Sequence, residues 1–238
     1  MRDHFQAGRF SVEVLYLDNH LLGLVKPPNL PVQRDASGDP DLLTCAKEYV
    51  ARKFHKPGDV YLGLVHRLDR PVGGVMVLAR TSKAAARLSQ AFARHTLDKR
   101  YLAVVQGYQG GEMALQDFLC KDPRTGMVRV VSPDTPGGKE ARLISRPLAA
   151  RRGLTLIQVE LQTGRAHQIR VQQAHAGFPL WGDARYGGGK PGQQIALWAH
   201  RLVLEHPVAH QALALEVSPP GGGIWDLFKD AWEEIHES

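Results

Sequence analysis

Val75-Met76-Val77-Leu78-Ala79 is an unbroken apolar run that follows directly on a stretch crowded with charge. Bounded by Pro71-Val72-Gly73-Gly74, a run of this length reads as a buried strand. Ahead of it stand Val65-His66-Arg67-Leu68-Asp69-Arg70, a carboxylate between two arginines with an imidazole upstream. Charge set against a core strand is costly unless it is paired or used. The spacing alone permits two readings: a solvated ion pair of little energetic worth, or a site built around Asp69.

The other apolar runs are short and fall in hairpins. Residues 12–17 and 21–25 flank Asp18-Asn19-His20, a hairpin signal, and Lys26-Pro27-Pro28-Asn29-Leu30-Pro31 then forces an extended segment. Leu42, Ala46, Tyr49, Val50 and Phe54 recur at helical spacing. Thr81-Ser82 caps a second helix running to about His95. Leu88, Ala91, Phe92 and His95 line one side of that helix, with Lys83, Arg87, Gln90 and Arg94 on the other as a basic stripe. Strands are expected at 102–105, 141–145, 154–161, 195–204 and 212–217. Further hairpins fall within 110–138, and Arg151-Arg152-Gly153 makes a turn. A helix opens within 163–171 and runs to about Ala176. Behind Gly221-Gly222-Gly223, an amphipathic helix carries Ile224, Trp225, Leu227, Phe228, Trp232 and Ile235. Strands in hairpins with few helices predict an α+β fold around a largely antiparallel mixed sheet flanked by helices.

The 238 residues give ample chain for a core, and 43% hydrophobic with 23% charged residues is ordinary globular composition. The net charge of +6 is unevenly spread. Asp226, Asp230, Glu233, Glu234 and Glu237 against Lys229 make the C-terminal segment −4, so the rest carries +10. A cationic body fits a polyanionic partner, most simply nucleic acid. Cys45 and Cys120 are isolated, which disfavours a disulfide framework or structural zinc. Without a leader-like start or an apolar run of membrane-spanning length, the expected setting is cytoplasmic, with no membrane partner. No Walker loop, dinucleotide fingerprint, H-E-x-x-H pair or G-x-S-x-G elbow occurs.

Three stretches remain, and in order they resemble the RluA-type pseudouridine synthases: His66-Arg67-Leu68-Asp69 before an apolar strand, Lys99-Arg100-Tyr101-Leu102, and Thr163-Gly164-Arg165-Ala166-His167-Gln168-Ile169-Arg170. Val14-Leu15-Tyr16 through Lys26-Pro27-Pro28, Pro179-Leu180-Trp181-Gly182-Asp183 and Tyr186-Gly187 add support, so the likeness spans most of the chain. It implies a pseudouridine synthase catalytic fold over residues 1–238, without the small N-terminal S4 domain of some relatives. It also implies isomerisation of uridine to pseudouridine in structured ribosomal or transfer RNA, by a monomer needing no metal or organic cofactor. By position Asp69 matches the family's nucleophile. Tyr101 matches the aromatic that stacks on the flipped base and is a candidate for taking its proton, and Arg170 the arginine that pairs with the aspartate. Arg67, Arg70, Arg165 and Lys99 would contact RNA, with His66 a motif residue shaping the loop beside them.

The chemistry fits those residue types. A nucleophilic carboxylate must stay ionised, and a guanidinium held against it favours the charged form and fixes its orientation. Stacking hides the glycosidic bond, so the nucleotide must be extruded onto an aromatic face. Taken singly the residues have plainer readings: Tyr101 as a core or rim aromatic, Arg170 as a surface ion-pair partner, Arg165-Ala166-His167 as a generic phosphate-binding turn. Two other functions stay open on the residues alone: a non-catalytic RNA-binding or chaperone protein on this fold, and a phosphohydrolase using Asp69, which would normally need clustered carboxylates for metal. The chain departs from the family pattern at Val72-Gly73-Gly74, where Thr-Ser-Gly or Val-Ser-Gly is common. Ala166 replaces Thr or Ser, and Gln172 replaces His. Small hydroxyl and imidazole contacts are lost there, while Asp69, Tyr101 and Arg170 are retained.

Overall fold

A computed structural model of the chain describes residues 3–233. Its contacts divide it into two compact units, Met1–Asp98 with Arg201–Val217, and Lys99–His200 with Ser218–Ser238.

In the first unit, β1 (Asp3–Ala7), β2 (Phe10–Leu17) and β3 (Leu21–Lys26) form an antiparallel meander. The expected hairpin is β2–β3, and β1 is an addition that its Asp3-His4-Phe5-Gln6-Ala7 sequence, with only Phe5 and Ala7 buried, did not announce. Next come α1 (Leu42–Lys53), β4 (Gly63–Leu64), β5 (Gly73–Ala79) and α2 (Ser82–Ala93). Both β3 and β4 pair with β5, every residue of which is buried, as its unbroken apolar run predicts. Each helix starts on a side-chain cap: Asp41 accepts the Thr44 N–H at 3.0 Å, and Thr81 that of Ala84 at 3.2 Å. Leu42, Ala46, Tyr49 and Val50 of α1 are buried as the periodicity requires, while Phe54 stands past the helix end under the Arg80 guanidinium. The second helix stops at Ala93, because His95 adopts a left-handed conformation (φ +56°). Its basic stripe is exposed, although Arg87 donates to the Pro207 carbonyl.

Apart from its first residue, Asp98, β6 (Asp98–Gln106) belongs to the second unit, followed by β7 (Met113–Lys121), β8 (Val128–Val131), β9 (Lys139–Arg151) and β10 (Leu154–Leu161). They order as β6-β10-β9-β7-β8, each pair antiparallel. Arg152 (φ +51°) and Gly153 (φ +74°) make the tight β9–β10 turn, the left-handed pair that a two-residue hairpin demands. Then come α3 (Gln168–His175) and β11 (Leu197–Glu205), whose residues 201–205 belong to the first unit and pair there with β12 (Ala212–Glu216). The C-terminal segment is a 3-10 turn, Gly223–Phe228, continued by α4 (Lys229–Glu233). Trp225, Phe228 and Trp232 are buried there, and Arg151 of β9 grips Asp230 with both terminal nitrogens; Ile235 lies outside the described residues. The architecture is α+β, with four helices and antiparallel pairing inside each unit among the described residues.

One polar knot closes the first unit. Asp18 accepts the backbone N–H groups of His20 and Leu21 at 2.8 and 2.7 Å, and its other oxygen lies 2.9 Å from His206 Nε2. The Nδ1 of the buried His206 accepts from Val208 and Ala209 N–H, so Nε2 carries the proton and donates to Asp18. Burial opposes ionisation of Asp18, but those N–H groups and His206 outweigh it and hold the carboxyl below its ordinary value. His206→Ala is expected to lower the unfolding free energy by about 1–3 kcal/mol, the cost of leaving these groups unsatisfied. Urea denaturation checks it, and an unchanged midpoint would contradict the assigned role.

Candidate active site

Asp69 sits in the loop between β4 and β5, in a turn closed by the Val72 N–H donating to the Asp69 carbonyl at 2.9 Å. The turn is held from below. The Arg70 carbonyl accepts both the Asn29 N–H at 2.7 Å and the Lys26 ammonium at 3.1 Å. Lys26 also donates to the Pro27 carbonyl at 2.9 Å. This lysine is the last residue of β3, pairs in register with Gly74, and is completely buried. Burial pushes its pKa down to about 7, the charge of Asp69 working against that shift and Arg70 adding to it. Gly74 has φ +122°, a conformation that L side chains rarely adopt, so one of the two glycines is required by the backbone itself.

The flanking residues divide. His66 Nε2 accepts the Val77 N–H at 2.9 Å, and its ring stacks on Phe92 with centroids 4.5 Å apart. It therefore continues the pairing of β5 just past β4 and shapes the loop. Arg67 is exposed. Arg70 is also exposed, but its guanidinium reaches Asp35 at 3.1 Å, Asp39, and the Asn29 carbonyl at 3.2 Å. Its ion pairs hold the 29–39 loop against the turn.

In the second unit, Tyr101 is a half-buried residue of β6 opposite Val159. Lys99, two positions earlier, is buried, and burial lowers its pKa. Its ammonium lies 3.9 Å from where a β-carbon on Gly164 would stand, which brings two of the sequence motifs together. The 163–170 segment is folded by Gln168. Its side-chain oxygen accepts from Thr163 Oγ1 at 2.7 Å and the Arg165 N–H at 2.9 Å, while its amide donates to the Arg142 carbonyl at 3.0 Å. Arg165 donates through Nε to the Glu140 carbonyl at 2.8 Å.

Arg170 projects from α3 into a buried setting. Its Nε and Nη2 meet Asp183 Oδ2 and Oδ1, each at 2.8 Å, and the guanidinium lies over the Tyr186 ring at 5.2 Å. Asp183 also accepts the N–H groups of Arg185 and Tyr186. Burial disfavours its charged form, yet Arg170 and these donors hold its carboxyl below the ordinary value. Tyr186 in turn bonds His167 Nδ1 at 2.7 Å and accepts the Val128 N–H at 3.0 Å. Gln172, where the family pattern has a histidine, donates to Asp117 at 2.7 Å and to the Ala141 carbonyl at 3.2 Å.

Sequence reasoning passed over two side chains that set this geometry, Lys26 and Asp183. The signal for Lys26 was a cation ending an apolar strand just before Pro-Pro. Nothing in the local pattern around Asp183 pointed to Arg170.

A family model described as RNA pseudouridylate synthase matches residues 20–175. Similar curated proteins include tRNA pseudouridine synthase C of Yersinia pestis, 30% identical, the match covering 94% of this chain and 93% of that protein. Ribosomal large subunit pseudouridine synthase D of Pseudomonas aeruginosa is 32% identical, with 93% of this chain and 72% of that protein covered. Among solved structures, human RNA pseudouridylate synthase domain containing 4 superposes with a TM-score of 0.72 over 94% of this chain and 92% of its own, at 21% identity. Human RNA pseudouridylate synthase domain containing 1 gives 0.70 over 93% and 94%, at 17% identity. At those identities the structures speak to the fold alone.

Lys26 yields a test by pH. An unfolded lysine titrates near 10.4, so between about pH 7 and 10 the unfolded chain binds more protons than the folded one, and stability gains from rising pH. Wild type is expected to gain stability relative to Lys26→Met between pH 7 and 9, on the order of 1 kcal/mol per pH unit. Urea unfolding of both proteins measures it, and parallel pH profiles would contradict the lowered pKa of Lys26.

Proposed function

This chain belongs to the RNA pseudouridylate synthase family, of the RluA type, and we propose that it isomerises specific uridines in ribosomal or transfer RNA with Asp69 as nucleophile. The observation that carries the reading is the family match across residues 20–175, which takes in the Asp69, Tyr101 and Arg170 stretches in order.

The reaction breaks the bond from uracil N1 to the ribose and forms one from C5. The C5 hydrogen leaves and N1 gains a proton, so composition is unchanged. Asp69 carries the covalent step, on a turn kept in place by Lys26, Asn29 and Val72. Tyr101 receives the extruded base on its ring and is the candidate for taking the C5 proton. Arg170, oriented by Asp183, stands at the position of the family's catalytic arginine and takes that role in this reading. Arg67, Arg165 and Lys99 are taken to contact RNA, and Arg70 reaches RNA from its place between Asp35 and Asp39. His66 acts through the loop it shapes. We take residues 1–238 to work as one catalytic domain, as a monomer in the cytoplasm. Among the described residues no helix is long and apolar enough to cross a membrane.

Asp69→Asn is expected to abolish pseudouridine formation while RNA binding survives, because the nucleophile is lost and the basic surface is not. Mass spectrometry of nucleosides from treated transcripts, beside a filter-binding assay, reads both. Turnover at the wild-type rate would contradict the mechanism, and binding without turnover by the wild type would favour a non-catalytic RNA-binding role.

A further inference from the structure

The second unit contains a cleft of about 390 Å³ that none of the residues above explains. This is within the size range of small-ligand sites, about 300–1,000 Å³. One side is Trp181. The chain's other tryptophans, Trp198, Trp225 and Trp232, are buried, whereas Trp181 is only half-buried and lines the cleft. Its backbone is pinned on both sides, the N–H to the Val104 carbonyl at 2.8 Å and the carbonyl to the Ala196 N–H at 2.9 Å. The indole is therefore presented from a fixed frame.

The floor is backbone packed on backbone. Gly182 has φ +75°, and a β-carbon there would overlap the Gln194 carbonyl. A β-carbon at Gly189 would come within 2.6 Å of the Gly182 carbonyl carbon. The rim is polar. Gln106 is fixed by its amide nitrogen donating to the Gly187 carbonyl at 2.9 Å, which leaves its side-chain oxygen as an acceptor. Gln193 accepts the Lys190 N–H through Oε1 at 3.0 Å and donates its own N–H to the Lys190 carbonyl at 3.0 Å, so its amide nitrogen remains a donor. The side chain of Lys190 is exposed beside them.

An aromatic face, an amide acceptor, an amide donor and an ammonium together suit a nucleotide: base on the indole, base edge on the amides, phosphate at the lysine. We propose that this cleft is a second nucleotide subsite, binding a nucleotide of the RNA other than the uridine that is isomerised. The inference rests on the RNA pseudouridine synthase reading and adds a determinant of substrate choice to it.

The test uses the full chain. Lys190→Ala changes an exposed side chain, so it leaves folding intact. It is expected to raise KM for RNA several-fold with kcat unchanged, and to lessen the slope of log affinity against log salt by about 0.7, one single-strand phosphate contact. An oligoribonucleotide bearing 5-iodouridine should photocrosslink to the peptide containing Trp181. Unchanged KM and salt slope, or crosslinks confined to other peptides, overturn the subsite. So does binding of free uridine 5′-monophosphate that Lys190→Ala abolishes while RNA binding stays unaltered, since the cleft would then be a small-molecule site. Pseudouridine formation by the wild type, scored in the same RNA, separates the two claims. Turnover with an unaffected Lys190→Ala variant removes the subsite alone. A Trp181 crosslink without turnover in any RNA removes the isomerase reading alone.

Discussion

The ammonium of Lys26 is buried without a direct carboxylate contact among its hydrogen bonds, and the loop bearing Asp69 is built on it. Placing a lysine in a protein interior is costly unless its protons are satisfied. Here the Pro27 and Arg70 carbonyls take two of them. The second carbonyl belongs to the residue after Asp69, so the lysine that ends β3 fixes the turn that precedes β5. The Pro-Pro that follows Lys26 and the positive φ of Gly74 opposite it are two sides of that arrangement. The proposed nucleophilic role of Asp69 asks for a carboxylate held to fractions of an ångström, and a hydrogen-bonded turn on a core strand gives that rigidity.

Arg170 is handled by the same logic in the second unit. A buried guanidinium left unpaired is a liability, and breaking a buried ion pair costs about 3–5 kcal/mol. The bidentate contact with Asp183 satisfies two edges of the fork and fixes its plane, while Asp183 is anchored by the backbone of residues 185 and 186. The Gly182-to-Gly187 stretch thus does three things: it orients Arg170, supplies the Tyr186 hydroxyl to His167 and Val128, and places Gly182 where the Trp181 cleft needs bare backbone.

What was legible in the sequence was what short-range physics dictates. The run from Val75 to Ala79 read as a buried strand, Thr81-Ser82 as a cap, and Arg151-Arg152-Gly153 as a turn. Two-residue β4 and the polar strand β1 carry too little periodicity to stand out. The His95 terminus depended on one backbone angle. Long-range pairing was the blind spot. The ion pairs of Arg70 with Asp35 and Asp39, over thirty residues away, leave no local trace in the sequence. Lys26 and Asp183 stand inside motifs whose residue types do not show their roles, because those roles are played on Arg70 and Arg170. Residue types named the chemistry, and the fold named the side chains that hold it.

The central claim, that this chain makes pseudouridine at particular positions in cellular RNA, is met most directly by mapping. Pseudouridines would be located, by carbodiimide-blocked reverse transcription, in ribosomal and transfer RNA from cells with and without the protein. The expected result is the loss of one or a few discrete sites, restored by the wild-type chain expressed in the same cells. An identical map in both, together with no isomerisation of those RNAs by the purified protein, would contradict it.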